Sequence, residues 1–254
     1  MAAYTSPAMA AKPPLVVRWH ALELAPVQAG GAQLATVELE NEGGARWRTR
    51  GREDGLFLSY HWLDERGNPI LWDGVRTPLE REIEPGERVT HALRVRGPIP
   101  PGSYRLAVDL VEEWRFWLAD LGNAPLERDV DVAPRDASDA RTFFADDAEA
   151  DEQWHQVVRA LHEEGYSAVG GAVVAESGRF RKVDAELAPY APGGGRNPVF
   201  REPLVCPSLL PPLEPNTEVA GLPAWRPEPG NEEPWMFDGR AAVRLRSRSG
   251  RRRA

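Results

Sequence analysis

The chain has 254 residues, enough for one large domain or two ordinary ones. Glycine (23) and proline (24) are abundant, which favours strands, turns and irregular loops over a helical bundle. The formal charge of -8 excludes nucleic-acid binding by the surface as a whole, because phosphate recognition needs dense positive charge.

From Leu15 to Val132 the chain reads as short strands separated by Gly, Pro, Asn and Asp. Leu15–Trp19 is the first. Residues 33–40 alternate, with Ala35, Val37 and Leu39 on the apolar side, until Asn41-Glu42-Gly43-Gly44 stops them. In the next strand, period two groups Leu56, Leu58, Tyr60 and Trp62 and turns Ser59 and His61 the other way. Pro69–Trp72 and Arg76–Leu79 follow. Glu84-Pro85-Gly86-Glu87 has the residues of a tight turn with glycine at its second central position. It leads into residues 88–95, with Val89, Leu93 and Val95 apolar and His91 among them. After Pro100-Pro101-Gly102, Tyr104, Leu106, Val108 and Leu110 share one face, opposite Arg105 and Asp109. Tyr104 has the placement of a tyrosine corner, whose hydroxyl bonds back to the upstream backbone. Leu126–Val132 closes the series.

About seven short antiparallel strands without intervening helices predict an immunoglobulin-like antiparallel β-sandwich over residues 14–133. A proline-marked, acidic linker is expected at 134–150. Beyond it, 151–254 is expected to be a small α+β or strap-like extension. Its one helix runs from Asp151 to Gly165, with Trp154, Val157, Val158 and Leu161 at three- and four-residue spacing. Tyr166–Val174 follows as a strand with a glycine pair. From Pro203 to Pro234 the frequency of proline predicts no regular element of normal length, and Ala241–Arg246 reads as a last strand.

The run GLFLSYHWLDERGNPILWDGVRTPLEREIEPGERV, followed by PPGSYRLAVDLVEEWRFWL, resembles a β-sandwich module of bacterial cell-surface glycan machinery. Such modules accompany glycosyltransferases, and they resemble the carbohydrate-recognising C-terminal domain of polysaccharide exporters driven by ATP. The matching features are the YHWLD strand and turn, DGVRTPL, the PGE turn and PGSYRLAVDLVEEW, within residues 55–132. No GxxxxGK[ST] occurs, so the exporter's nucleotide-binding motor is not implied.

A glycan module needs exposed rings for sugar faces and polar neighbours for hydroxyls. The ring expected to be exposed on composition is Trp47, among arginines; Trp62 reads as core. Trp72 adjoins the polar pair Asp73-Gly74. Trp114 and Trp117, three apart on a strand, face opposite ways, one core and one exposed. The loop Gly193-Gly194-Gly195-Arg196-Asn197 could cradle an anion such as a sugar phosphate. The ligand-binding candidates are therefore Trp47, Trp72, Asp73, Trp114, Arg196 and Asn197.

No catalytic residue, metal ligand or cofactor is assigned. Asp109, Glu112 and Glu113 are close in sequence, but among 39 acidic residues such proximity arises by chance. There is no HExxH motif. His155 and His162 stand about two helical turns apart, roughly 10 Å, which is far for one metal. His61 and His91 lie on candidate strands that could converge. The single cysteine, Cys206, sits in an apolar run and reads as an inert thiol.

The expected function is a non-catalytic glycan-associated binding or scaffolding module. One alternative is a protein–protein assembly factor using the C-terminal extension; another is a glycan-acting enzyme with a site between sandwich and extension. The implied partners are a polysaccharide or a glycan enzyme, and a homo- or hetero-oligomer. No stretch is apolar enough to span a membrane, and the N-terminus carries no signal-peptide core, so the expected location is the cytoplasm. The arginines from Arg244 to Arg253 could give weak peripheral contact with anionic lipid.

Overall fold

The structure is a computed structural model. It describes residues 12–49, 55–174, 203–205, 207–219, 221–228 and 233–245. Among the described residues the architecture is mainly β, with several sheets, mostly antiparallel pairing and one α-helix.

The first half contains β1 (Val17–Glu23), β2 (Val27–Gln28), β3 (Ala32–Asn41), β4 (Leu56–Leu63), β5 (Pro69–Leu71), β6 (Thr77–Pro78), β7 (Arg88–Arg96), β8 (Gly102–Glu112), β9 (Phe116–Trp117) and β10 (Leu126–Ala133). One sheet has the order β1-β3-β7, and the other runs β2-β10-β8-β4-β5 with β6 on β4 and β9 on β8. All of these pairs are antiparallel except β2 with β10. The reason for two sheets lies in the alternation. Ala35, Val37 and Leu39 from β3, with Leu93 and Val95 from β7, meet Leu56, Leu58, Tyr60 and Trp62 from β4 and Leu106, Val108 and Leu110 from β8 in one buried core.

Polar tips tie the sheets together. The Tyr60 hydroxyl accepts from Arg96 N–H at 2.9 Å, and Trp62 Nε1–H donates to Arg96 C=O at 2.8 Å. Tyr104 hydroxyl donates to Pro100 C=O at 2.7 Å, the contact expected of a tyrosine corner. The turn at 84–87 also forms as its residues require: Gly86 has φ 79° and Glu87 N–H donates to Glu84 C=O at 3.0 Å.

The second half adds β11 (Arg141–Thr142), β12 (Ala148–Ala150), α1 (Trp154–Glu164), β13 (Ala168–Val174), β14 (Leu204–Val205), β15 (Ser208–Leu209), β16 (Thr217–Val219), β17 (Leu222–Trp225) and β18 (Trp235–Leu245). A five-stranded sheet has the order β11-β15-β13-β18-β12, with β13 and β18 parallel; β14-β17-β16 form a small antiparallel sheet. The helix buries Trp154, Val158 and Leu161 against Val169, Val173, Ala241 and Val243. Gly165 ends it at φ 127°.

One expectation changes here, and another takes a definite form. Residues 134–150, read as a linker, supply β11 and β12 to the second sheet. The stretch 203–234, expected to hold no regular element of normal length, carries only the short strands β14 to β17 among its described residues. Each of these strands is two to four residues long, too short for a period to show in sequence. The prolines fit because most of them punctuate: Pro207, Pro211, Pro212 and Pro215 fall between strands.

The halves meet at a glycine pair. Gly30, at φ +63°, leaves no room for a Cβ, which would strike the Gly165 carbonyl. Around it, Arg96 Nη1 donates to Gly30 C=O at 2.7 Å and pairs with Glu233 at 3.5 Å. Gly67, at φ +82°, has nothing within 4 Å of the same point. Gly67→Ala is therefore expected to cost about 1 kcal/mol of backbone strain, and Gly30→Ala about 2 kcal/mol or more because steric contact adds to it. Urea unfolding of the two variants checks this; equal costs would show that the halves are not packed through Gly30.

Candidate functional site

The candidate site lies on the second face of the larger sheet, where β4 and β8 pair. Ser59 stands directly opposite Asp109, and His61 opposite Ala107. The alternation turns these residues away from the core. They are nonetheless buried, because two segments fold back over them. One is Trp72–Arg76, after β5. The other is Trp117 with the short 3-10 turn Leu118–Leu121.

His61 is central to the cluster. Its ring stacks on Trp72 with centroids 4.0 Å apart and planes at 24°. It also meets Trp117 at 4.2 Å, and Trp72 and Trp117 lie 6.2 Å apart edge to face. His61 Nδ1 is hydrogen-bonded to the carbonyl of Trp72 itself. A carbonyl only accepts, so Nδ1 carries the proton and Nε2 does not. Nε2 is buried and has no hydrogen-bond partner among the described residues. Burial pushes the imidazole pKa down, which favours the neutral ring.

Arg76 ties the cover down. Its guanidinium carbon sits 4.7 Å from the Trp117 ring centroid. Nη1 donates to Ser59 Oγ at 3.0 Å and to Gly74 C=O at 2.9 Å. Nη2 pairs with Asp73 at 2.8 Å and Nε with Glu113 at 2.5 Å. Asp73 and Glu113 are thus fixed on either side of one cation. Next to Asp73 is Trp72, 49% exposed; next to Glu113 is Trp114, 98% exposed. Trp114 has φ 64°, the one positive φ outside glycine among the described residues. Such a conformation costs about 1–3 kcal/mol in a bulky residue and is characteristically retained at functional positions. Arg115 helps to hold it, through its N–H to Glu112 C=O at 3.1 Å and its ion pair with Glu112.

Three of the six sequence candidates, Trp72, Asp73 and Trp114, are therefore joined through Arg76 and Glu113. Trp47 is not part of the site. It is fully buried in the first core and bridges Ile83 through both backbone groups. The flanking Arg46 and Arg48 are exposed, so extended backbone turns the residue between them inward. Arg196 and Asn197 lie outside the described residues, as does Cys206. His61 and His91 do not converge: they belong to different sheets, and His91 Nε2 accepts from Glu80 N–H at 2.8 Å. His61, Arg76, Glu113 and Trp117 were missed as ligand-site residues. The recurrence of Trp, Asp, Arg and Glu within 72–76 and 112–117 is the signal that could have suggested them.

Among the described residues no cluster of three or more His, Cys, Asp or Glu is arranged to hold a metal ion, and no helix is long and apolar enough to cross a membrane. Neither protein-family models nor curated proteins give a match to the sequence.

Proposed function

We propose that the first half is an immunoglobulin-like β-sandwich acting as a non-catalytic, glycan-associated binding or scaffolding module, with Trp72 and Trp114 as its sugar platform. The observation that carries this reading is the preorganised Trp72 ring. One side of it is stacked on His61, its own carbonyl is bonded to that histidine, and about half of the residue stays open to solvent. A ring already fixed loses little entropy when a ligand covers it. An exposed indole offers an apolar surface to the C–H face of a sugar, and Asp73, Arg76 and Glu113 offer donors and acceptors to hydroxyls around it. The partner class is a polysaccharide, or an enzyme that acts on one.

The test is a glycan array with the full chain beside Trp72→Ala and Trp114→Ala. The expected result is saturable binding to one glycan class, weakened about tenfold or more by Trp72→Ala, the size of a typical anchor residue. Trp114→Ala is expected to weaken it similarly with little change in stability, because the side chain is 98% exposed and alanine keeps the Cβ that strains a position with φ 64°. Absence of binding to every glycan class, or binding unchanged in both variants, overturns the proposal.

A further inference from the structure

A cleft of about 520 Å³ lies between residues 134–142 and the exposed flank of α1, away from the tryptophan platform. Its walls include Arg135, Thr142, His155, Arg159, His162 and Ser208. At its base, His162 and Ser208 form a hydrogen-bonded pair that the glycan-module reading does not use.

The chemistry of that pair is directional. His162 Nδ1 lies 2.7 Å from the Tyr166 carbonyl, and Nε2 lies 3.0 Å from Ser208 Oγ. The carbonyl can only accept, so Nδ1 holds the proton. Nε2 is left with a lone pair, and the partner facing it is the hydroxyl proton of Ser208. Thr142 Oγ1 donates to Ser208 Oγ at 3.3 Å and occupies the oxygen from another side. The backbone carbonyl thus orients the imidazole in the tautomer that lets it act as a base, the role a carboxylate plays in many serine nucleophile sites. His162 is fully buried on the helix, Gly165 turns the chain so that Tyr166 C=O reaches back to it, and β15 fixes Ser208 between β11 and β13. Burial, with Arg135 in support, pushes the His162 pKa down and favours the unprotonated base.

We propose that this cleft is an acyl-transfer site for a small carboxylic ester, with Ser208 as nucleophile and His162 as general base. Ser208 Oγ bonds to the acyl carbon while its proton passes to His162 Nε2. The acyl carbon–oxygen bond then breaks, and His162 returns the proton to the departing alcohol. A water molecule repeats the two transfers and releases the carboxylic acid, restoring Ser208. Arg135 brings a cation to the cleft wall, and its Nη1 donates to Ser167 Oγ at 2.7 Å and so is held in place.

The probe is a fluorophosphonate, which reacts only with an activated hydroxyl: an oxygen–phosphorus bond forms at serine, the phosphorus–fluorine bond breaks, and fluoride leaves. The full chain is treated, and the modified residue is located by mass spectrometry. Label on Ser208 is expected, none in Ser208→Ala, and labelling slowed about 100-fold or more in His162→Gln. A folded wild-type chain that stays unlabelled, or label unchanged in Ser208→Ala, overturns the proposal. His162 is buried, so its variant could unfold; the pH profile of the wild-type chain then decides. Arg135, Asp136, Arg159, His155 and Glu163 surround the cleft with His162, but the base itself is the group whose protonation stops the reaction. A labelling rate that falls as the solution is acidified below the ordinary imidazole range supports the assignment, and a flat rate refutes it. A merely structural hydrogen bond would not activate the hydroxyl, so the wild-type chain would stay unlabelled and show no such pH profile. The glycan array reads a different surface, so either proposal can fail without the other.

Discussion

Trp62→Ala is expected to lower the unfolding free energy by about 4 kcal/mol or more, leaving the first half close to unfolded in water. Two losses combine. Trp62 is completely buried where the two sheets face each other, edge to face with Tyr60 and Tyr104 at 6.3 Å. Removing such a ring leaves a cavity that costs about 3–5 kcal/mol. The second loss is polar. Trp62 Nε1 is the donor to Arg96 C=O, and an orphaned buried carbonyl costs about 1–3 kcal/mol more. The two are not independent, so the sum is an upper bound. Tyr60→Phe separates them, since it removes only the hydroxyl that Arg96 N–H donates to and leaves the ring in place. Its expected cost is about 1–2 kcal/mol. Urea unfolding followed by tryptophan fluorescence and by far-ultraviolet circular dichroism gives both values. A Trp62→Ala loss below about 1 kcal/mol would mean that the two sheets do not share a tightly packed core.

The consequences reach beyond the core. Arg96 uses its backbone to join the sheets and its side chain to meet Gly30 C=O and Glu233, at the contact between the two halves. Glu233 in turn accepts from Ser167 Oγ at 2.5 Å, and Arg135 donates to the same hydroxyl. Aromatic packing inside the first half therefore positions the ion pair that meets the second.

How much of this the sequence reveals depends on range. Leu56, Leu58, Tyr60 and Trp62 are an inward set that period two identifies unaided, and so are Ala35, Val37 and Leu39 and the run from Tyr104 to Leu110. A strand of seven or more residues carries enough alternation to define a face. The same rule places Trp47 inward, yet its arginine neighbours suggest exposure. The composition of a neighbourhood is a weaker guide than the direction a side chain takes from extended backbone. The short strands β14 to β17 exist through distant partners, such as Leu204 with Trp225, so no local pattern announces them. The site divides in the same way. Trp72, Asp73 and Trp114 are recognisable as polar–aromatic turns. That Arg76 would bridge Asp73 to Glu113, 37 positions away from it, follows only from β4 lying between β5 and β8. Period two turns His61 away from the core, but its burial depends on two segments folding over it, which alternation does not encode.

Asp109, beneath the same cover, has an expected pH signature of the opposite sign to an ordinary carboxylate. It is 1% exposed, and burial pushes its pKa up to about 6 from 3.8, with the nearby charge of Asp120 adding to the rise. Two N–H groups work against that shift: Leu110 N–H donates to Oδ1 at 2.7 Å and Ala119 N–H to Oδ2 at 3.2 Å. Because the folded-state pKa is the higher one, the folded protein binds this proton more tightly than the unfolded chain. The stabilisation it gives is complete below the unfolded value and is lost as pH rises through about 6. The full effect is about 3 kcal/mol, of which about 2 kcal/mol is gained between pH 7 and pH 4.5. His61 and His162 act oppositely over part of this range. Burial lowers their folded-state values, so their contribution is present above the ordinary imidazole pKa and is lost on acidification. The comparison of wild type with Asp109→Asn cancels both. Expected is a stability difference that shifts in favour of wild type by about 2 kcal/mol as pH falls from 7 to 4.5, measured by urea unfolding at each pH. Parallel curves would show that the carboxyl titrates as an ordinary aspartate. The sign has a bearing on the proposed platform. At neutral pH the protein keeps an ionised, buried carboxylate that reduces stability, and that carboxylate accepts from the N–H of Ala119, in the turn that follows Trp117. An asparagine has one carbonyl oxygen to offer where the carboxylate offers two, so one of the two N–H groups would face an amide donor instead. A platform that depends on this anchor should weaken in glycan binding in Asp109→Asn, even at a pH where the variant is as stable as wild type.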